Sequence, residues 1–254
     1  MDRLRILVVT ALAEIVAPTL EDTFAGSVVV TAGDPDGLRR AVSGRPRFDV
    51  MVTDLTWNDR RYEWDFDGLD ALQMLSDEGR STATIVAAQG HSLEEDHLAE
   101  ALDHAHHPEV LGVYRKTTGL DPLVRAIPIA ASGGRLPADE YPAPLVARPP
   151  ALHRYFHRRS GRTAGHLAAV VASGRASNYA TLARVAGVAP DTANKLLAYL
   201  GPIIAERQDT PPSEPITQAS VFRWCEEHAR YLLSWDRRFH PGGPAVTRWR
   251  PPPG

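Results

Sequence analysis

The chain has 254 residues, a hydrophobic fraction of 43% and one cysteine, Cys225; that is about two domains' worth of sequence, with no internal disulfide framework and no cysteine-based zinc site. No apolar run approaches the ~18 residues a membrane span needs, and Met1-Asp2-Arg3-Leu4-Arg5 leads straight into a strand-like segment rather than a signal peptide, so a reducing, cytoplasmic setting is expected. The net charge of −3 conceals an asymmetry: residues 1–147 carry 13 Lys/Arg and 24 Asp/Glu (net −11), residues 148–254 carry 15 and 7 (net +8), and a basic half suits a polyanion such as DNA unless it is chance surface composition.

In chain order, strands are predicted at Arg5–Thr10, Ser27–Thr31, Asp49–Asp54, Thr84–Ala88 and Val110–Tyr114, with helix-like segments between them. One helix is expected to open on Ser92-Leu93-Glu94-Glu95, a Ser-x-x-Glu capping box. Five strands alternating with helices predict α/β architecture, a five-stranded doubly wound parallel sheet. Function in such sheets gathers at the carboxyl ends of the strands, which puts Thr10, Asp54 and Lys116 at one rim. The Pro-rich stretch 136–150 reads as a stiff linker. An all-α domain is expected over 151–239, and a disordered Pro/Gly-rich tail over 240–254.

Residues 1–135 resemble the receiver domain of two-component response regulators. Phe48-Asp49-Val50-Met51-Val52-Thr53-Asp54-Leu55 resembles the third strand with its phosphoacceptor, and Gly112-Val113-Tyr114-Arg115-Lys116 the fifth strand with its lysine. Leu120–Ile127 and Ala131–Arg135 resemble the last helix and exit of the LuxR/NarL-type subfamily. The resemblance implies Asp54 as phosphoacceptor and Lys116 as its partner, yet other expected parts are replaced. Thr10 and Ala11 stand where receivers carry the acidic pair that holds Mg²⁺, with Glu14 displaced nearby. Ala88 stands for the hydroxyl residue on the fourth strand, and Val113 for the aromatic switch, with Tyr114 one residue out of register and so on the opposite face. Without the metal a phosphorylated state loses its main electrostatic support, so Asp54 and Lys116 read as relics, salt-bridged to each other, or else as a residual phosphoacceptor. No cofactor is expected.

Asp67-Gly68 comes about six residues later than the resemblance implies, after a segment holding Trp57, Tyr62, Trp64 and Phe66. At the functional rim these aromatics suit a small-molecule ligand or partner loop; alternatively they pack on the domain to hold the longer loop. In Asp103-His104-Ala105-His106-His107, the imidazoles three apart could share a helix face. Lacking a third ligand, they read as a solvated helix end rather than a metal site.

Residues 161–207 resemble the helix-turn-helix domain of LuxR-type regulators, on the core Ala180–Leu200. Gly187 suits the end of a first helix and a sharp turn, and Pro190-Asp191 the start of the next. Ala193, Leu197, Leu200 and Ile204 form one apolar face. Thr192, Asn194, Lys195 and Ala198 then point outward, as a face entering a major groove should. Arg154, Arg158, Arg159, Arg162, Arg175 and Arg184 offer phosphate contacts, and Gly201-Pro202 is expected to kink or end the helix. Ser220–Phe239 reads as one long amphipathic helix whose aromatics complete the core or form a dimer seam. The expected function is a DNA-binding transcriptional regulator, an atypical response regulator acting as a homodimer on double-stranded DNA. Its control would be independent of phosphorylation, through a ligand, a partner or constitutive dimerisation. The alternative is a protein-interaction adaptor that has lost DNA binding. No Gly-rich phosphate loop or assembled nucleophile points to an enzyme.

Overall fold

Five short runs rich in Val, Ile and Leu have no polar alternation, the pattern of strands in a parallel sheet, most of them covered on both faces. They form β1 (Arg5–Val9), β2 (Val28–Ala32), β3 (Val50–Asp54), β4 (Ala83–Ala88) and β5 (Val110–Arg115). In the structure, a computed structural model, residues 3–44, 47–137 and 150–240 are described. The chain divides into two units, Met1–Val146 and Ala147–Gly254. The linker core 138–149 and the tail 241–254 lie outside the described residues.

In the first unit the strands form one all-parallel sheet in the order β2-β1-β3-β4-β5. The helices are α1 (Ala13–Thr23), α2 (Pro35–Ser43), α3 (Gly68–Asp77), α4 (Glu95–Ala101) and α5 (Asp121–Ala131). One face of the sheet, with Ile6, Val8, Val50, Val52, Ile85, Ala87 and Tyr114, packs on Leu20 and Phe24 at α1 and on Leu123, Ala126, Ile127 and Ala130 of α5. Alternate residues such as Leu7, Met51 and Val86 face the other way and are fully buried. Each observed strand lies within a residue of its predicted span.

Local chemistry sets the helix starts. Asp34 caps α2, accepting from the Gly37 amide at 2.6 Å with Pro35 in the first turn. Asp67 and Asp70 form a capping box on α3. Gly68 follows directly because the chain crosses β3 closely there: a Cβ would lie 2.5 Å from the Asp54 carbonyl oxygen. Before α4, the carboxylate that reaches back is Glu94, not Glu95, and the residue it caps is His91, not Ser92. A short 3₁₀ turn, Ser92–Glu94, therefore precedes the helix.

The described residues of the second unit form helices only: α6 (Leu152–Phe156), α7 (Arg159–Ala172), α8 (Tyr179–Ala186), α9 (Pro190–Asn194), α10 (Leu196–Arg207), α11 (Gln218–Glu227) and α12 (Ala229–Phe239). Helix α7 is central, touching α6, α8, α10, α11 and α12 and burying Ala164 and every residue from Leu167 to Ala172. The expected single helix over 220–239 is two helices. They part at His228 (φ −97°, ψ 15°), whose ring stacks on Trp224 and contacts its carbonyl at 2.9 Å. Trp224, Tyr231 and Trp235 are buried within this unit, and Trp235 packs against Phe156 and Phe239. These aromatics complete a core.

Gly201-Pro202 does not end or interrupt the helix, because α10 runs through both to Arg207. Pro202 is exposed, as is Ala198 four residues earlier, so the carbonyl that loses its amide partner belongs to the solvent side of the helix. Gly201, Ile203 and Ile204 are buried and hold the following turn in place.

Candidate nucleic-acid interface and the rim of the sheet

The carboxyl ends of β1, β3 and β5 bring three predicted residues together. Asp54 is 4% exposed. Its Oδ1 lies 2.9 Å from Lys116 Nζ, and its Oδ2 accepts a hydrogen bond from Thr10 Oγ1 at 2.6 Å. Burial pushes the Asp54 carboxyl above its ordinary value despite the opposing pull of Lys116 and Thr10, and the Glu94 charge adds to the rise. Both carboxylate oxygens are thus engaged by the chain's own groups. Ala11 and Glu14 are exposed. Ala88 is buried, and Tyr114 lies in the α1/α5 core while Val113 takes the other face.

A fourth residue that sequence reasoning missed completes this rim. Glu94 is 4% exposed. Its Oε2 accepts from the amides of Gln89 (2.9 Å), Gly90 (2.8 Å) and His91 (3.4 Å), and its Oε1 from Thr56 Oγ1 at 2.8 Å. The turn after β4 is a cradle of backbone donors, and it is filled by an internal anion. Only the capping-type spacing from His91 to Glu94 hinted at this.

The aromatic loop is pinned at its base by the antiparallel bridge Thr56–Asp67. Trp57 and Phe66 are buried, their rings edge-to-face at 4.9 Å, and Tyr62 packs edge-on to Trp57 at 6.1 Å. Tyr62 and Trp64 are half-exposed, and Trp64 Nε1 donates to Glu63 at 2.9 Å. Most of the aromatic surface is therefore spent on packing the loop itself. His104, His106 and His107 lie not on a helix but in the turns after α4, where the amides of His106 and His107 donate to the Asp103 carbonyl.

In the second unit α8 starts on Asn178, whose side chain accepts from the Thr181 amide at 2.9 Å. It ends on Gly187 in the left-handed region (φ 67°, ψ 29°), with the Gly187 and Val188 amides donating to Ala183. Pro190 then opens α9. The second helix is broken at Lys195, which ends α9 and precedes α10, its amide bonded three residues back to Thr192. The buried face is accordingly Ala193, Leu196, Leu200 and Ile203–Ile204; Leu197 is only half-buried. Asn194, Lys195 and Ala198 are exposed, Thr192 is half-buried, and Arg175 and Arg184 are exposed, as are Arg154, Arg158 and Arg162.

No atom lies within 4 Å of a Cβ built on Gly187, so only its backbone conformation resists substitution. Gly187→Ala is expected to destabilise the protein by about 1–2 kcal/mol, seen as a lower urea midpoint at unchanged slope. An unchanged midpoint would show that the turn relaxes freely.

No protein-family model matches the chain, and no curated protein does. Among solved structures the chain is similar to RcsB from Salmonella enterica serovar Typhimurium bound to promoter P1flhDC in the presence of the phosphomimetic BeF3−, at 14% identity and a TM-score of 0.53, over 89% of this chain and 99% of that one. It is also similar to the two-component response regulator RcsB in complex with DNA, at 12% identity and a TM-score of 0.51, over 89% and 99%. At such identities the likeness is one of fold: a five-stranded parallel receiver-type unit followed by a helical unit.

Proposed function

We propose that this protein is a cytoplasmic, DNA-binding transcriptional regulator whose receiver-like unit works without phosphorylation. The observation that carries the DNA-binding reading is the helix-turn-helix geometry: a left-handed glycine turn between α8 and a second helical segment that exposes Asn194 and Lys195, flanked by exposed arginines. That face is small, amide-bearing and cationic, which suits base edges and phosphates, and the helical unit belongs to the basic half of the chain. The protein acts as a homodimer on two-fold symmetric double-stranded sites; a small molecule or partner acts at the rim, beneath the loop from Trp57 to Phe66; and neither unit is catalytic. Selection of genomic fragments by the purified chain at low salt should recover a symmetric motif. Recovery of none would favour the adaptor reading.

Support for phosphorylation-independent control comes from the rim. Asp54 is already paired with Lys116 and Thr10, and the positions that the receiver resemblance assigns to metal ligands hold Thr10 and Ala11. Beryllofluoride or acetyl phosphate with Mg²⁺ is therefore expected to leave oligomeric state and DNA affinity unchanged, by light scattering and fluorescence anisotropy. A shift that disappears in Asp54→Asn would overturn this half of the reading.

A further inference from the structure

At the end of α12, within the second unit, three side chains with metal-ligand chemistry converge. They are His166 on α7, Asp236 on α12 and His240, which ends α12. Asp236 Oδ1 lies 2.9 Å from His166 Nδ1 and 3.0 Å from His240 Nδ1. One donor atom of each residue lies within 4.8 Å of the others. Asp236 is fully buried, and its second oxygen, Oδ2, has no hydrogen-bond partner. A carboxylate taken wholly out of water is costly unless its oxygens are engaged, so an unused oxygen beside two imidazoles marks a place for a cation.

We propose that His166, Asp236 and His240 form a zinc site. Two imidazoles and one carboxylate are a borderline donor set, suited to Zn²⁺ and poor for Mg²⁺ or Ca²⁺, which require more oxygens. Zn–N and Zn–O bonds of about 2.0–2.2 Å place tetrahedral ligands about 3.3–3.5 Å apart. The two spacings from Asp236 Oδ1 need to open by only a few tenths of an ångström. Asp236 and His240 are four apart on one helical turn and so share a face.

The surroundings of His166 also fit. The backbone of Ala186 adjoins its ring, and a zinc-bound histidine commonly gives its other ring N–H to a backbone carbonyl, which fixes its orientation. The side chain of His240 is 33% exposed and gives the ion a way in from solvent. The three residues leave a fourth position open, which water would take. Arg162 sets a positive charge near His240, which leaves Asp236 as the counter-charge that affinity depends on. Ala186 is the last residue of α8, immediately before Gly187. Zinc at this site would thus tie the end of α12 to α7, beside the last residue of α8. The site stands whether or not the unit binds DNA.

The test is calorimetric titration of the chelator-treated full chain with Zn²⁺, alongside the visible absorption of its Co²⁺ complex. Expected are about one tight Zn²⁺ per chain and a Co²⁺ spectrum typical of four-coordination. His166→Gln and His240→Gln should each weaken binding at least about 100-fold. Because a separate histidine cluster follows α4, His104→Gln with His106→Gln and His107→Gln serves as the control and should retain the tight site. His240→Gln lies at a helix end and decides the matter if His166→Gln fails to fold. Zinc binding that is absent, or unchanged in His240→Gln, would overturn the site and leave a hydrogen-bonded His–Asp–His cluster only.

Discussion

Replacing Asn194 and Lys195 together by alanine is expected to abolish sequence-specific DNA binding while the protein stays folded. Both side chains are exposed, and surface substitutions usually change stability by no more than about 0.5 kcal/mol. A good base contact contributes about 1–3 kcal/mol of discrimination, so losing two should weaken the specific complex by about 30-fold to 10⁴-fold. Non-specific binding should fall less, because it rests on phosphate neutralisation by residues such as Arg175 and Arg184. Anisotropy titrations on specific and scrambled duplexes at several salt concentrations separate the two contributions. If Lys195 touches only phosphate, its single variant weakens all sequences alike and lowers the salt slope by about one. An unchanged site preference in the double variant would place the groove-reading face elsewhere on the unit.

The break at Lys195 shapes the face that experiment probes, and the sequence does not announce it. Nothing in Thr192-Ala193-Asn194-Lys195-Leu196 signals a helix break, because no Gly or Pro is there. The amide bond from Lys195 back to Thr192 is a three-residue step, tighter than an α-turn. The step separates α9 from α10, and Leu196 rather than Leu197 is the residue buried after it. By contrast the five strands were legible, because the strands of a parallel sheet select short apolar runs between turns. The Gly187 turn was legible because left-handed backbone selects for glycine. Proline has no comparable certainty: Pro202 is tolerated where its freed carbonyl partner meets solvent, a matter of which helix face it occupies. At the rim, the pairing of Asp54 with Lys116 followed from both lying at strand ends. Glu94 reaches Thr56 across 38 residues, and His166 meets Asp236 across 70, and no local pattern announces such meetings.

Glu94→Ala is expected to destabilise the first unit by about 2–4 kcal/mol. The carboxylate accepts from Thr56 and from the amides of Gln89, Gly90 and His91, and a buried donor left without its acceptor costs about 1–3 kcal/mol. The predicted loss stays below the sum of these because water can reach a cradle at the sheet's edge. Glu94→Gln keeps an acceptor oxygen in place and removes the charge, so its cost should be smaller and its electrostatic effect just as large. That effect falls on Asp54, whose carboxyl burial and the Glu94 charge hold above the ordinary value. A raised folded-state pKa favours the fold at pH below the unfolded value, and this contribution is lost as pH rises through the folded one. Removing the Glu94 charge lowers the Asp54 pKa, so Glu94→Gln should lose less stability than the parent as pH rises through that window. Carbon-13 titration of the Asp54 carboxyl, with urea melts across the same pH range, measures both quantities. An Asp54 titration unmoved by Glu94→Gln would mean that the two carboxylates do not sense each other, and the rim would then hold two independent anions rather than one coupled site.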